Sequence, residues 1–243
     1  MQDAGYESWA YRNGLPRQAA TLERQQVLER DAGSPDDRLY RLTAQGRLHV
    51  LGGRDPEERW ARAWDGQWRL VLFDLPTGQN AQRERLRRYL RDAGFGCLQN
   101  SVWISPEPLA ETGKILGGGK INVESLVLLE ARPCAGESDA EIVAGAWDFA
   151  RINHRYARHL KTLAEHPGGV LRNDAAAKAL QRWAAAEREA WLDAVTNDPL
   201  LPGRILPSDY LGQQAWRRRV EVLRDASRQL RTFNPEKTAA NRA

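Results

Sequence analysis

The stretch Trp68–Pro106, WRLVLFDLPTGQNAQRERLRRYLRDAGFGCLQNSVWISP, decides how this chain is read. Leu70, Val71, Leu72 and Phe73 make an apolar run too short for a helix and closed by Asp74-Leu75-Pro76, the pattern of a fully buried central strand. Pro76 lacks the N–H that a ladder needs, so the strand stops there. Between Asn80 and Ala93 the apolar Leu86, Tyr89, Leu90 and Ala93 recur at helical spacing, with Arg83, Arg85, Arg87, Arg88 and Arg91 filling the other positions. That spacing predicts one amphipathic helix with a basic outer face. Gly94 follows where a left-handed C-cap belongs, and Phe95–Gln99 and Ser101–Ser105 read as strands broken at Asn100.

Further along, Val123–Glu130 (VESLVLLE) reads as another strand, preceded by a segment of helical character at Pro108–Leu116. Strand, helix, two strands, helix, strand is the βαββαβ order of a ferredoxin-like domain. The residues now carry a resemblance. A strand ending in Asp74, a basic helix ending at Gly94 and the run Gln99-Asn100-Ser101-Val102-Trp103 resemble the small ferredoxin-like CRISPR adaptation nucleases. More specifically, WDGQWRLVLFDLP at 64–76 followed by GFGCLQNSVWISP at 94–106 resembles the central domain of the PaaX family, bacterial transcriptional repressors of phenylacetate catabolism.

Towards the N-terminus, a short helix from Pro16 to about Arg24 is followed by a strand at Val27–Arg30, a polar turn at Asp31–Asp37, a strand at Leu39–Leu42 and a helix capped by Thr43. Helix, strand, wing, strand, with Leu-Tyr-Arg-Leu-Thr-x-x-Gly at Leu39–Gly46, resembles the second half of a winged helix-turn-helix domain. In that family the helix before the wing lies in the major groove. The resemblance implies that Arg17, Gln18, Thr21 and Arg24 face DNA while Ala19, Ala20 and Leu22 pack inward, and that Arg38 and Arg41 brace the wing on phosphates. Met1–Arg54 holds eight Arg against seven acidic residues, so it is not a basic patch, and a hairpin used only for packing has the same pattern. Only Met1–Gly14 is available for the supporting helices, which makes the expected module a partial one. Trp60, Trp64 and Trp68 recur at four-residue steps after it, a stripe read as a surface docking this module on the central domain.

Beyond Ala131 the pattern is helical. Glu137–Leu163 reads as one helix capped by Ser138, with Ile142, Ala146, Phe149 and Ile152 on one stripe. Asn173–Val195 is a second, with Leu180, Trp183, Trp191 and Leu192 for a core, and a Pro-punctuated connector leads to a last helix ending near Arg231. In that connector Leu201, Pro202, Leu206, Pro207, Asp209, Tyr210, Gly212 and Ala215 match a PaaX-type C-terminal pattern. The expected class is therefore α+β. Residues 1–54 form a partial winged helix-turn-helix, 55–67 a linker, 68–135 the ferredoxin-like domain, 136–231 an all-helical effector and dimerisation domain, and 232–243 a disordered tail.

Composition bounds the function loosely. A net charge of +4 and a pI near 9.3 name no partner, but the cations are nearly all Arg, whose fork suits phosphate better than Lys. No apolar run approaches bilayer length and no basic flank leads into an apolar stretch near Met1, so a cytoplasmic protein with no membrane partner is expected. Cys97, expected in a buried strand, and Cys134 suit a reducing compartment and support neither zinc nor a disulfide framework.

Four constellations bear on chemistry. Asp74 stands where the resembled nucleases place a metal-binding Asp from each subunit across a dimer axis, which makes a metal-dependent nuclease the alternative function, although a lone strand-end Asp is usually a turn-former. Gly117-Gly118-Gly119-Lys120 fails as a phosphate loop, because Lys114 stands where a Gly is needed and Ile121 where Ser or Thr would hold magnesium. His154 and His159 are off the helical step for two zinc ligands. No Ser, His and Asp grouping has a nucleophile elbow. No catalytic residue, metal or cofactor is therefore expected. The PaaX resemblance implies instead a non-enzymatic homodimeric repressor on a double-stranded operator, released by a phenylacetyl-CoA-like acyl-CoA. Trp183 and Trp191 would line its apolar part, and Arg204 and Arg217 would meet its phosphates.

Overall fold

A computed structural model describes residues 11, 14–30, 40–74, 80–108, 110, 112, 125–134 and 136–232. The wing at 31–39 with Arg38, most of the segment before Gly14, most of Pro108–Leu116, the Gly117–Lys120 run and the tail from 233 lie outside the described residues. The fold is α+β, with a small antiparallel sheet in its central region. Two compact units make it up. One comprises Met1–Asp55, Arg155–Asp193 and Gly212–Ala243, and the other Pro56–His154 and Ala194–Leu211.

The second unit holds the sheet. Strand β3 (Trp68–Asp74) buries Trp68, Arg69, Val71 and Phe73, and its neighbours are β5 (Val102–Ser105) on one side and β6 (Ser125–Ala131) on the other. Strand β4 (Gly96–Gln99) adds to the outer side of β5, giving the order β4-β5-β3-β6 with every neighbouring pair antiparallel. Val71 sits opposite Trp103 on β5 and Leu128 on β6, so these three share one face. Helix α4 (Asn80–Asp92) covers that face with Leu86 and Leu90, packing them against Val71, Phe73, Phe95 and Trp103. The helix ends as the sequence requires. Gly94 adopts φ 89°, the Phe95 N–H donates to the Leu90 carbonyl at 3.0 Å, and the Gly94 N–H to Arg91 at 3.0 Å, which is a Schellman closure.

The opposite face of the sheet explains Gly96. A side chain there would place its Cβ 2.7 Å from both Ala146 and the Trp147 ring, so only glycine admits helix α5 (Asp139–Ala146) this close to β4. Cys97, expected to be buried, is exposed instead. It lies on the edge strand, beside a register shift between Cys97 and Gln99, and its thiol donates to the Gln99 carbonyl at 3.3 Å.

The tryptophan stripe has ring partners inside this unit: Trp64 packs on Trp68 at 5.1 Å, Trp68 on Trp147 at 6.1 Å and Trp60 on Tyr210 at 6.0 Å, while helix α3 stops early, covering only Pro56–Ala61. One further expectation is corrected. The single helix expected at Glu137–Leu163 is two. Ser138 caps α5 in a capping box with Glu141, but Trp147 turns extended (φ −126°, ψ 140°) and Asp148 restarts the chain by accepting the Arg151 N–H at 2.9 Å, so α6 runs Phe149–Ala164.

In the first unit, helix α1 (Leu15–Arg24) leads into a hairpin of β1 (Leu28–Arg30) and β2 (Tyr40–Leu42), paired Leu28 to Leu42, and then helix α2 (Ala44–Val50). Residues of α6 from Arg155, helix α7 (Asp174–Thr196) to Asp193 and helix α8 (Gly212–Thr232) belong to the same unit. Their apolar faces meet in a core of Leu163, Leu171, Ala177, Leu180, Trp183, Val222 and Ala226. Asn173 caps α7 by accepting the Ala176 N–H at 2.8 Å. Among the described residues no helix is long and apolar enough to cross a membrane.

Candidate nucleic-acid interface

Helix α1 begins with Pro near its first turn, where a missing N–H costs nothing, and has no fully buried residue. Arg17, Gln18 and Arg24 are exposed, Ala19 and Leu22 are half-buried, and Ala20, expected inward, is exposed. Thr21 turns its hydroxyl back to the Arg17 carbonyl at 2.9 Å, and Arg24 reaches back to Ala20 O at 3.4 Å and Thr21 Oγ1 at 3.2 Å. Arg17 and Gln18 make no side-chain hydrogen bond to another described residue, and Arg24 keeps the donors of its second guanidinium nitrogen. Arg41 on β2 is exposed but held by Glu29 of β1 at 2.8 Å. Arg38 lies outside the described residues.

The hairpin and α2 are locked together through backbone. Thr43 donates its N–H to Val27 O at 3.1 Å and caps α2 by accepting the Gly46 N–H at 2.8 Å, as the sequence predicted. A Cβ on Gly46 would lie 1.9 Å from the Val27 carbonyl oxygen. This contact explains the glycine of the Leu-Thr-x-x-Gly pattern.

Asp74 is exposed at the end of β3, opposite Ser125. Among the described residues no three His, Cys, Asp or Glu side chains gather into a metal-binding group.

The four effector candidates have different surroundings, each within its own unit. Trp183 is core, with its indole N–H donating to Thr162 O at 2.8 Å, and Trp191 is fully buried. Arg217 is exposed on α8, and Arg204 is exposed in the 3-10 turn Gly203–Ile205 of the other unit. What the sequence reading missed is the polar cluster around Trp191. His159, Glu187 and Arg219 are all buried; His159 Nε2 lies 2.9 Å from Glu187 Oε1, and Arg219 Nε donates to the same oxygen at 2.7 Å. Arg219 also stacks over Trp191 at 4.8 Å, with Tyr156 and Trp216 against the same indole. Burial alone would raise the Glu187 carboxyl, but the His159 bond and the charge and bond of Arg219 outweigh it and hold it below the usual carboxylate range. A signal was present. Each residue is a lone polar interruption in an apolar helical stripe: Ile152, Tyr156, His159, Leu163; Leu180, Trp183, Glu187, Trp191; Ala215, Arg219, Val222, Ala226.

Comparison with known proteins bears on the sheet unit most directly. No curated protein matches the chain. Among solved structures, the uncharacterized protein Rv0674 from Mycobacterium tuberculosis superposes with a TM-score of 0.52 at 21% identity, over 89% of this chain and 82% of that one, a likeness of fold. Residues 61–143 match the family model of the PaaX protein central Cas2-like domain. That span contains β3 ending at Asp74, α4 closed by Gly94 and the Gln99–Trp103 run, which carry the resemblance. Residues 61–143, about a third of the chain, are therefore similar to the central Cas2-like domain of PaaX proteins.

Proposed function

We propose that this protein is a homodimeric, DNA-binding transcriptional repressor of the PaaX type, released from its operator by an aryl-acetyl-CoA or related acyl-CoA. The observation that carries this reading is the match of residues 61–143 to the PaaX central domain, since PaaX proteins are transcription regulators. The order β4-β5-β3-β6, with α4 packed on one face, supports a ferredoxin-like arrangement of that domain. The N-terminal α1 with its hairpin supports a reduced winged helix: Arg17 and Gln18 are exposed with unspent donors, and such side chains fork onto guanine and adenine edges. Dimerisation doubles a reading helix that alone covers too few base pairs. Coenzyme A offers phosphates to arginine and its acyl group an apolar handle, which keeps the helical part of the chain as the sensing region.

The test is a gel-shift series on the natural upstream region. Arg17, Gln18 and Thr21 changed together to Ala should lose sequence preference by about 1 to 3 kcal/mol per bidentate contact removed, with the protein still folded. Unchanged binding would show that α1 is not the reading head. In the same samples, magnesium-dependent cleavage that vanishes in Asp74→Ala would replace the repressor by the nuclease.

A further inference from the structure

We propose that the outer face of α4 is a second nucleic-acid contact, one that grips the phosphate backbone of duplex DNA without reading bases. This rests on DNA being the partner but not on which helix reads it. Helix α4 carries five arginines against Glu84 and Asp92, a net charge of +3 within thirteen residues. Three of the five are held by their own unit. Arg83 donates to Asn80 Oδ1 at 2.9 Å, Arg87 to the Asn100 carbonyl at 3.1 and 3.2 Å, and Arg91 lies over the Trp103 ring at 5.9 Å. Arg85 and Arg88 are exposed one turn apart and make no hydrogen bond or ion pair among the described residues. Glu84 and Asp92 stand four residues either side of Arg88, but Glu84 pairs with Arg87 and neither acid bonds Arg88, which leaves both guanidiniums open to an external anion.

The surroundings select the kind of anion. Beside α4 lies a polar hollow of about 350 Å³ walled by Asn80, Arg83, Glu84, Arg87, Asn100 and Ser101, whose one acid is already paired with Arg87 at 2.8 Å. Amide, hydroxyl and guanidinium donors in one concavity suit phosphate oxygens. A protein partner would need an apolar anchor as well, and none of the exposed large hydrophobics among the described residues falls between Asn80 and Asp92. Arginine rather than lysine at all five positions fits forked contact to phosphate.

The experiment is a salt titration of affinity for a random-sequence duplex, read by fluorescence anisotropy. Wild type is compared with Arg85→Ala/Arg88→Ala and with Arg172→Ala/Arg182→Ala, which removes equal charge from exposed positions of the other unit. Two lost phosphate contacts flatten the slope of log affinity against log salt by about 1.8, so the loss of affinity between about 50 and about 200 mM salt shrinks by about tenfold in the α4 variant. The control should keep the wild-type slope. Equal slopes in wild type and the α4 variant, or the same flattening in the control, overturn the proposal. So does competition by polyglutamate as strong as by duplex, which would mark an acidic-protein surface. A flattened slope in the α4 variant, beside unchanged operator binding in the Arg17, Gln18 and Thr21 alanine variant, would sink the reading-head assignment and leave this one standing; no duplex binding by wild type would sink both.

Discussion

At Gly46 a single missing side chain fixes how the hairpin meets α2. The Cβ of an alanine would fall 1.9 Å from the Val27 carbonyl oxygen, and backbone cannot swing aside as a long side chain does. Gly46→Ala should therefore destabilise the N-terminal unit by about 1 to 3 kcal/mol, the usual scale of overpacking, read as a lower urea midpoint. An unchanged midpoint would mean that α2 does not pack on Val27. Glu187 is the second decisive residue. Its carboxyl is depressed in the folded state, so the unfolded chain binds more protons near its ordinary pKa. The stability it contributes is thus fully present above the unfolded carboxylate value of 4.5 and drains away as pH falls through the folded one. Glu187→Gln should remove that acid-side loss from the stability profile, while Glu187→Ala, which leaves Arg219 and His159 buried without their acceptor, should cost about 3 to 5 kcal/mol near neutral pH. A wild-type profile with the same acid slope as Glu187→Gln would refute the assignment. Residue identities reported caps well, as Thr43, Ser138 and Gly94 show, because a cap is a local event. They reported His159 poorly, since its partner Glu187, and Arg219 that shares that carboxylate, arrive from far along the chain.

At the scale of elements, periodicity located α4 and its Schellman end almost to the residue, but it missed the break between α5 and α6. Ile142, Ala146, Phe149 and Ile152 keep helical spacing across the break, so an apolar stripe is blind to it. The stop is set by Asp148, whose carboxylate accepts the Arg151 N–H and so prefers the N-cap to a helix interior. Asp148→Ala should cost about 1 kcal/mol by thermal unfolding, and Asp148→Ser should restore most of it. Equal losses in both variants would show that the cap is not what restarts α6. The same limit explains Cys97: a strand there was legible, but its place on the sheet edge beside a register shift depends on which strands pair, which no local pattern encodes.

At the scale of the molecule, segments distant in sequence fold as one body. Met1–Asp55 shares its compact unit with Arg155–Asp193 and Gly212–Ala243, an association that no local pattern encodes. The consequence for the proposed DNA-reading segment is direct. Between Leu15 and Val50 only Val27 and Gly46 are buried among the described residues, α1 buries none of its own, and His49 meets Arg188 of α7 at 3.3 Å. A segment of this size, without disulfide or metal, has too little core to offset its chain entropy. The fragment 1–54 should therefore show no cooperative thermal transition by circular dichroism and no sequence-specific operator binding, whereas the full chain should show both. A fragment that melts cooperatively and shifts the operator would prove the N-terminal segment autonomous and would assign the helices after Arg155 to other work than supporting it.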